Sequence, residues 1–465
     1  MRARTSLFYG WYVVGAALFC YGFGISPAYY SWGFFAPEVV DELGLSRQQV
    51  GDVFGIFSLV FSIVAPLVGL ALDRFGVRAT MSAGSVMAAV GFWLTSHADT
   101  LAEFYVSYAL IGGIGIGFST ILPAQTLPVN WFVRYRARAT AIILVGGSLV
   151  GSAVTPLGEL VLRHWSWREG WLVIAAISVI VAVAAALFIR NRPEDLGLHR
   201  DGAAGDGGGP DAAWAAATPV GPSHAGSPVG AARPAPEPAP AIAAAAVAAA
   251  ADAAASIEEP RWTAGQAIRT PHFLIATFAA LANQLPWAIV TAHGRLHLED
   301  LGFTSAVAAA ILGVRVGVST AGRLTGALGD FLSPSRLMGL SLLVVAIGCG
   351  GLVVARSVPV AIASVVLLGL GYGAAYISIP VVFGYFFGRR AFAGTSGMRI
   401  ALLAVSAWLG PRWAGAAADA TGSYLGTFAF LALVCVAGAA AILMCPRPGA
   451  GPAVAPLAGP AREPV

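Results

Sequence analysis

Three arginines stand where arginine is scarce. Arg315, Arg323 and Arg399 each lie inside a run of apolar residues long enough to cross a bilayer. A charge at mid-membrane costs about 2.5–3.5 kcal/mol on the insertion scale, so it lines a cavity or finds a partner. Arg315 and Arg323 are eight residues apart, which on a helix puts them near one face, two turns apart. No Asp or Glu lies in the apolar runs of the same half to pair with them, and Glu159 is the main candidate from the other half. The balance leaves positive charge facing a central cavity, and a guanidinium fork suits a carboxylate. Tyr29, Tyr30, Gln125, Asn283, Gln284, Tyr372 and Tyr376 lie in other apolar runs and could complete such a site. For each of these, packing or interface anchoring is at least an equal reading. Ion pairing or snorkelling competes for each arginine, and Arg412, just after Pro411, is expected to snorkel.

The elements that must position these side chains follow from composition. The chain is 57% hydrophobic and 11% charged, with a mean hydropathy of +0.77, whereas a soluble domain carries about 25% charged residues. That imbalance in 465 residues points to a polytopic membrane protein. A spanning helix needs about 20 mainly apolar residues. Twelve runs qualify: 10–34, 51–72, 79–97, 104–127, 139–162, 170–189, 272–292, 304–328, 336–355, 358–386, 393–415 and 424–444. The first is too long for a signal peptide and reads as the first helix. All 27 basic residues are Arg, so a net positive charge is no argument for nucleic acid. Arg2, Arg4, Arg74, Arg78, Arg134, Arg136, Arg138, Arg190, Arg192, Arg261, Arg269, Arg336, Arg389, Arg390 and Arg447 fall in segments on one side of an alternating topology. Arg47, Arg163, Arg168, Arg295 and Arg356 fall on the other. The excess places both termini in the cytoplasm, and the expected location is a bacterial inner membrane.

The chain repeats itself at an offset of about 256 residues. Gly69-Leu-Ala-Leu-Asp73 returns as Gly326-Ala-Leu-Gly-Asp330, and Gly113, Gly115 and Gly117 return as Gly369, Gly371 and Gly373. Such a parallel repeat predicts two similar six-helix halves. Residues 1–192 form the first, 193–265 a disordered cytoplasmic linker rich in Ala, Pro and Gly, 266–446 the second, and 447–465 a disordered tail. The glycines of 112–117 imitate a dinucleotide loop but lie inside an apolar run, where small residues serve close helix packing. Cys20, Cys349, Cys435 and Cys445 lack metal-ligand spacing and read as buried hydrophobes.

Twelve runs in a six-plus-six division, a long central linker and GLALDRFGVR after the second run together resemble the major facilitator superfamily. Gly69, Asp73, Arg74, Gly76 and Arg78 match that superfamily's signature in the loop after the second helix, and Gly326, Asp330 and Arg336 are its weaker echo. The resemblance implies an all-α integral membrane fold of two pseudo-symmetric six-helix bundles, with these residues latching the cytoplasmic gate. Asp73 can face the positive N-terminus of a helix in the other half, and Arg78 can pair with carboxylates or helix-end carbonyls. FYGWYVV, NWFVRYRARATA, NRPEDLGL and DATGSY are similar to segments of bacterial relatives of monocarboxylate transporters and oxalate–formate antiporters. In those relatives an Arg on the eighth helix binds the substrate carboxylate, and Gly322-Arg323-Leu324 carries the match. The spacing from Arg323 to Asp330 is one residue shorter than the usual one. Ser319, one turn before Arg323, stands where relatives have Asp or Asn, which removes a common proton carrier.

The resulting expectation is a secondary transporter of a small organic anion, a monocarboxylate or dicarboxylate, working by alternating access as a monomer in the bilayer. A proton or a counter-anion is left open as the coupled partner. Efflux of an amphipathic drug or metabolite through the same fold, and a membrane sensor that binds without transport, are the alternatives. Without Lys there is no GxxxxGK[ST] motor. No nucleophile–base or metal constellation suggests an enzyme, and no cofactor or nucleic-acid partner is expected.

Overall fold

The computed structural model describes residues 8–132, 135–200, 262–324 and 332–448, and each of the twelve apolar runs is mainly helical over its described residues. Helix α1 is Tyr9–Leu43. Arg47–Ile63 continues after a break at Val64 as Ala65–Thr95, and the latter is itself broken at Gly76. We therefore take 47–75 as α2 and 77–95 as α3. Then follow α4 (Leu101–Trp131), α5 (Arg136–His164) and α6 (Trp167–Phe188). The second half comprises α7 (Pro271–Asp300), α8 (Ser305–Leu324), α9 (Pro334–Val353), α10 (Val358–Gly388), α11 (389–421) and α12 (Leu425–Met444). By length and composition, ten helical stretches among the described residues could cross a membrane.

Local chemistry sets several boundaries. Ser46 with Gln49, Thr100 with Glu103 and Ser166 with Glu169 form capping boxes at the starts of α2, α4 and α6, each answering two backbone donors that a helix start leaves open. Gly44 and Gly422 end α1 and α11 in the left-handed conformation. Gly76 (φ 76°, ψ 173°) and Gly388 (φ 70°, ψ 178°) turn the chain between successive helices in a single residue, a conformation essentially confined to glycine. The row of glycines inside α4 and α10 behaves as packing surface. A Cβ on Gly115 would lie 2.7 Å from Ala88 Cα in α3, and one on Gly371 would lie 2.7 Å from the Ser341 carbonyl oxygen in α9. The repeat in sequence is thus a repeat in packing, α4 on α3 and α10 on α9.

Outward faces are apolar, as at Val86, Val90, Val179, Ile180, Val183, Ile347 and Leu433, which is the surface a bilayer requires. Inside the first half, Trp32 stacks on Tyr108 and Tyr108 on Phe57, with centroids 4.7 and 4.6 Å apart. Tyr105–Gly112 in α4 is π-helical, and this widened turn brings Tyr105 to Asp52 and Tyr108 to the Ala28 carbonyl.

The chain remains structured past residue 192. Asn191 accepts the Arg78 backbone N–H at 2.9 Å, and Asn130 donates to the Asn191 carbonyl at 3.1 Å. The segment after α6 thereby pins the Gly76 turn. Ahead of the second half lies the short helix Ala264–Ile268, and Trp262 just before it meets Phe387 edge-on. Residues 201–261 of the expected linker, and 449–465 of the expected tail, lie outside the described residues. A Cβ at position 76 would meet the Asn191 amide carbon at 2.7 Å, on a backbone that side chains resist. Gly76→Ala should therefore lower the melting temperature by a few degrees. An unchanged melting curve would show that the turn is not under this constraint.

Candidate substrate site and the closed end

The two halves meet along α1 with α7, α2 with α11 and α5 with α8, and between them lies a cavity of about 180 Å³. Of the arginines singled out by sequence, Arg323 lines it and Arg315 and Arg399 do not. Arg323 is half-buried on α8. Its Cζ sits 5.3 Å from the centre of the Tyr376 ring, its Nη1 reaches the Leu144 carbonyl at 3.5 Å, and its Nε is buried without a hydrogen-bond partner. Among the described residues no carboxylate pairs with it. Tyr29, Tyr30, Gln284, Tyr372 and Tyr376 also line the cavity, as the sequence suggested. The hydroxyls of Ser26, Ser58, Ser62 and Ser148 and the indole of Trp287 join them without having been foreseen.

The remaining candidates stand apart from the cavity. Arg315 is 2% exposed, with its Cζ 4.0 Å from the Trp287 ring centre and Nη2 donating to Thr291 Oγ1 at 3.1 Å. Arg399 lies half-buried over Phe383, its Nε unpartnered. Ser319 donates to the Val316 carbonyl of its own helix at 2.7 Å. Asn283 is buried with an unpartnered Oδ1, and Gln125 is half-buried on α4. Glu159, the expected counter-charge, instead accepts from Ser305 and Arg163.

One end of the cavity is sealed by bonds between the halves. Arg295 of α7 forks onto Glu38 of α1 at 2.6 and 2.8 Å and also reaches the Phe34 carbonyl. Arg47 of α2 forks onto Asp300 of α7. Asp419 of α11 accepts the first two backbone N–H groups of α2, from Arg47 at 3.1 Å and Gln48 at 2.9 Å. Asp52 of α2 takes donors from Trp408 and Arg412 of α11, each at 2.8 Å. Arg412 was expected to snorkel. It does not, because a carboxylate only 6% exposed stands within reach. Glycines let the backbones touch here, with Gly33 against Thr291, Gly51 against Pro411, Gly55 against Trp408 and Gly415 against Arg47.

The opposite end, where the α2–α3 turn lies, shows no such bonding between halves among the described residues. Gly69 has open space about it, and Asp73, Arg74 and Arg78 are exposed. Asp73, Arg74 and Gly76 border a cleft with Asn130, Asn191 and Arg192, all from the first half. Arg336 donates its backbone N–H to Ser333 at the start of α9. Gly326 and Asp330 lie outside the described residues. Among the described residues the expected latch makes no bond between the halves, and the bonds described lie at the other end. Among the described residues no cluster of His, Cys, Asp or Glu could hold a metal ion.

Comparison with known proteins agrees with this architecture. Monocarboxylate transporter 2 of Mesocricetus auratus is 25% identical over 179 residues, covering 38% of this chain and 37% of the relative. Monocarboxylate transporter 13 of Bos taurus is 29% identical over 181 residues, covering 38% and 42%. The chain thus matches less than half the length of these relatives. A bacterial homolog of the human lysosomal transporter Spinster, solved inward-facing and unoccupied, superposes with a TM-score of 0.63 at 14% identity, covering 94% of this chain and 96% of that one. The nucleoside transporter NupG gives 0.64 at 12% identity, covering 94% and 99%. At those identities the structures share the fold alone. A family model described as the Major Facilitator Superfamily matches residues 12–325, about two thirds of the sequence, and the chain belongs to that superfamily.

Proposed function

We propose that this chain is a secondary transporter that carries a small organic anion across a bacterial inner membrane by alternating access. The observation that carries the reading is Arg323, a cation in the cavity wall with no described carboxylate to neutralise it. A substrate carboxylate would supply both the missing charge and the missing hydrogen bonds. Tyrosine hydroxyls around it can donate to a second oxygen of a small acid. The cavity volume of about 180 Å³ falls below the range of about 300–1,000 Å³ usual for drug-sized ligands, which argues against an amphipathic cargo. The arginine-rich segments put the Asp73 end in the cytoplasm, so the locked end faces outward and this conformation opens inward. Ser319 offers no titratable group beside Arg323, which favours exchange of one anion for another.

A dicarboxylate is the second reading, favoured by Arg399. It too has an unpartnered Nε, and α11 would bring it toward the cavity if the inner end closed. Purified protein in liposomes decides between them. Labelled lactate-sized monocarboxylates should enter faster when the same acid is loaded inside, and Arg399→Gln should change that uptake less than threefold. If uptake is instead confined to dicarboxylates and lost in Arg399→Gln, the second reading replaces the first. Saturable binding without flux would replace both with a sensor.

A further inference from the structure

The two arginines of α8 are joined by aromatic rings. Arg315 Cζ lies 4.0 Å from the centre of Trp287. Trp287 stacks on Tyr372 with centroids 3.8 Å apart and planes 13° from parallel. Tyr372 follows Tyr376 at 5.8 Å, and Arg323 lies over Tyr376 at 5.3 Å. The column runs Arg315, Trp287, Tyr372, Tyr376, Arg323, with a cation at each end. The three rings and Arg323 line the cavity, whereas Arg315 is buried behind them.

We infer that Arg315 is a positioning residue that clamps Trp287, and that the clamped indole is the wall limiting the size of the cargo. The inference rests on the reading of the cavity as a carboxylate site. Arg315 has no described carboxylate partner, and its surroundings account for its charge in another way. The guanidinium lies on the negative π-face of the indole. Nη2 donates to Thr291 Oγ1 at 3.1 Å, while the Thr291 hydroxyl donates to the Trp287 carbonyl at 2.7 Å. The plane of the guanidinium is thus held against the ring by the same turn of α7 that carries the ring. Tyr372 covers the other face, and Tyr30 stands edge-on at 6.4 Å. An indole sandwiched on both faces cannot tilt away to admit a longer acid. A lysine at 315 keeps the charge but has no planar fork to fill the space behind the ring.

The test compares uptake of a graded series of straight-chain monocarboxylates by the parent, Arg315→Lys and Trp287→Leu, together with a double-mutant cycle of melting temperatures. The parent should favour short acids. Both variants should relax that preference, improving the ratio of long-acid to short-acid uptake about tenfold for Trp287→Leu and severalfold for Arg315→Lys. The doubly substituted protein should melt no lower than Trp287→Leu alone, since the clamp has nothing left to hold. A uniform rise in KM across the series for Arg315→Lys, with the size preference intact, would overturn the clamp and make Arg315 a charge that acts on the cargo. If the parent carries none of these acids, the reading of the cavity fails. The melting cycle then decides the clamp by itself, with coupled losses upholding it and additive losses overturning it.

Discussion

Arg323→Gln should lose at least about a hundredfold in uptake rate at low substrate concentration while remaining folded. Removing one partner of a desolvated, hydrogen-bonded charge pair costs about 2–5 kcal/mol, and the substrate carboxylate would be the partner left behind. The protein itself should tolerate the change. Among the described residues Arg323 binds no carboxylate, and the bond it makes there is a long contact with the Leu144 carbonyl, so its loss strands little. The melting temperature and the elution profile in detergent should match the parent. Arg323→Lys should fall between the two, because it keeps the charge but loses the fork that grips two oxygens. Undiminished uptake by Arg323→Gln would remove this residue from the site.

Gly33→Ala should arrest the cycle by a different route. A Cβ at this position would lie 2.8 Å from the Thr291 carbonyl carbon and 2.9 Å from the Ala292 oxygen, and closer still to the Thr291 oxygen. These are backbone atoms of α7, which cannot swing aside as a side chain would. Overpacking of this kind costs about 1–3 kcal/mol, enough to move a two-state balance by about five- to a hundredfold. The alanine acts only where the halves touch, so it penalises the conformation seen here and spares the one open at this end. Uptake should fall at least about tenfold. Spin labels at Asp41→Cys and Thr304→Cys, two exposed positions on either half, should report a longer separation than in the parent when the native cysteines are removed. Equal distances with reduced uptake would refute the wedge.

Which parts of this arrangement could be read in the sequence depends on how far apart the interacting residues lie. Arg323 was conspicuous because a charge in an apolar run is costly wherever it ends up. The glycines of α4 and α10 were equally legible as close-packing surfaces, since nothing else explains small residues at such spacing. The lock at Glu38, Asp52, Arg295 and Arg412 was not legible. Its charges sit near the ends of helices, where solvated side chains are ordinary, and Arg412 meets Asp52 across 360 positions of chain. Trp287 was missed for the opposite reason. A tryptophan in an apolar run is unremarkable until the arginine behind it and the tyrosine before it are known. The one-residue turns at Gly76 and Gly388 depend on a backbone conformation that a glycine permits but does not announce. Asp73 and Arg78 match the superfamily's signature, yet among the described residues they make no bond to the second half.

The carboxylate of Asp419 on the start of α2 bears on reversibility. Ser46 already caps the third donor of that helix from within the first half, so Asp419 supplies only the first two. Both lie at the aqueous edge, where water can replace a departing carboxylate. The same holds for Arg47 with Asp300, each about a quarter exposed. These two fastenings, built from groups that solvent can satisfy, gain modest free energy when made and strand nothing when broken. Near-degeneracy of two arrangements is what a molecule needs if it is to pass between them repeatedly on the small differential affinity of a ligand.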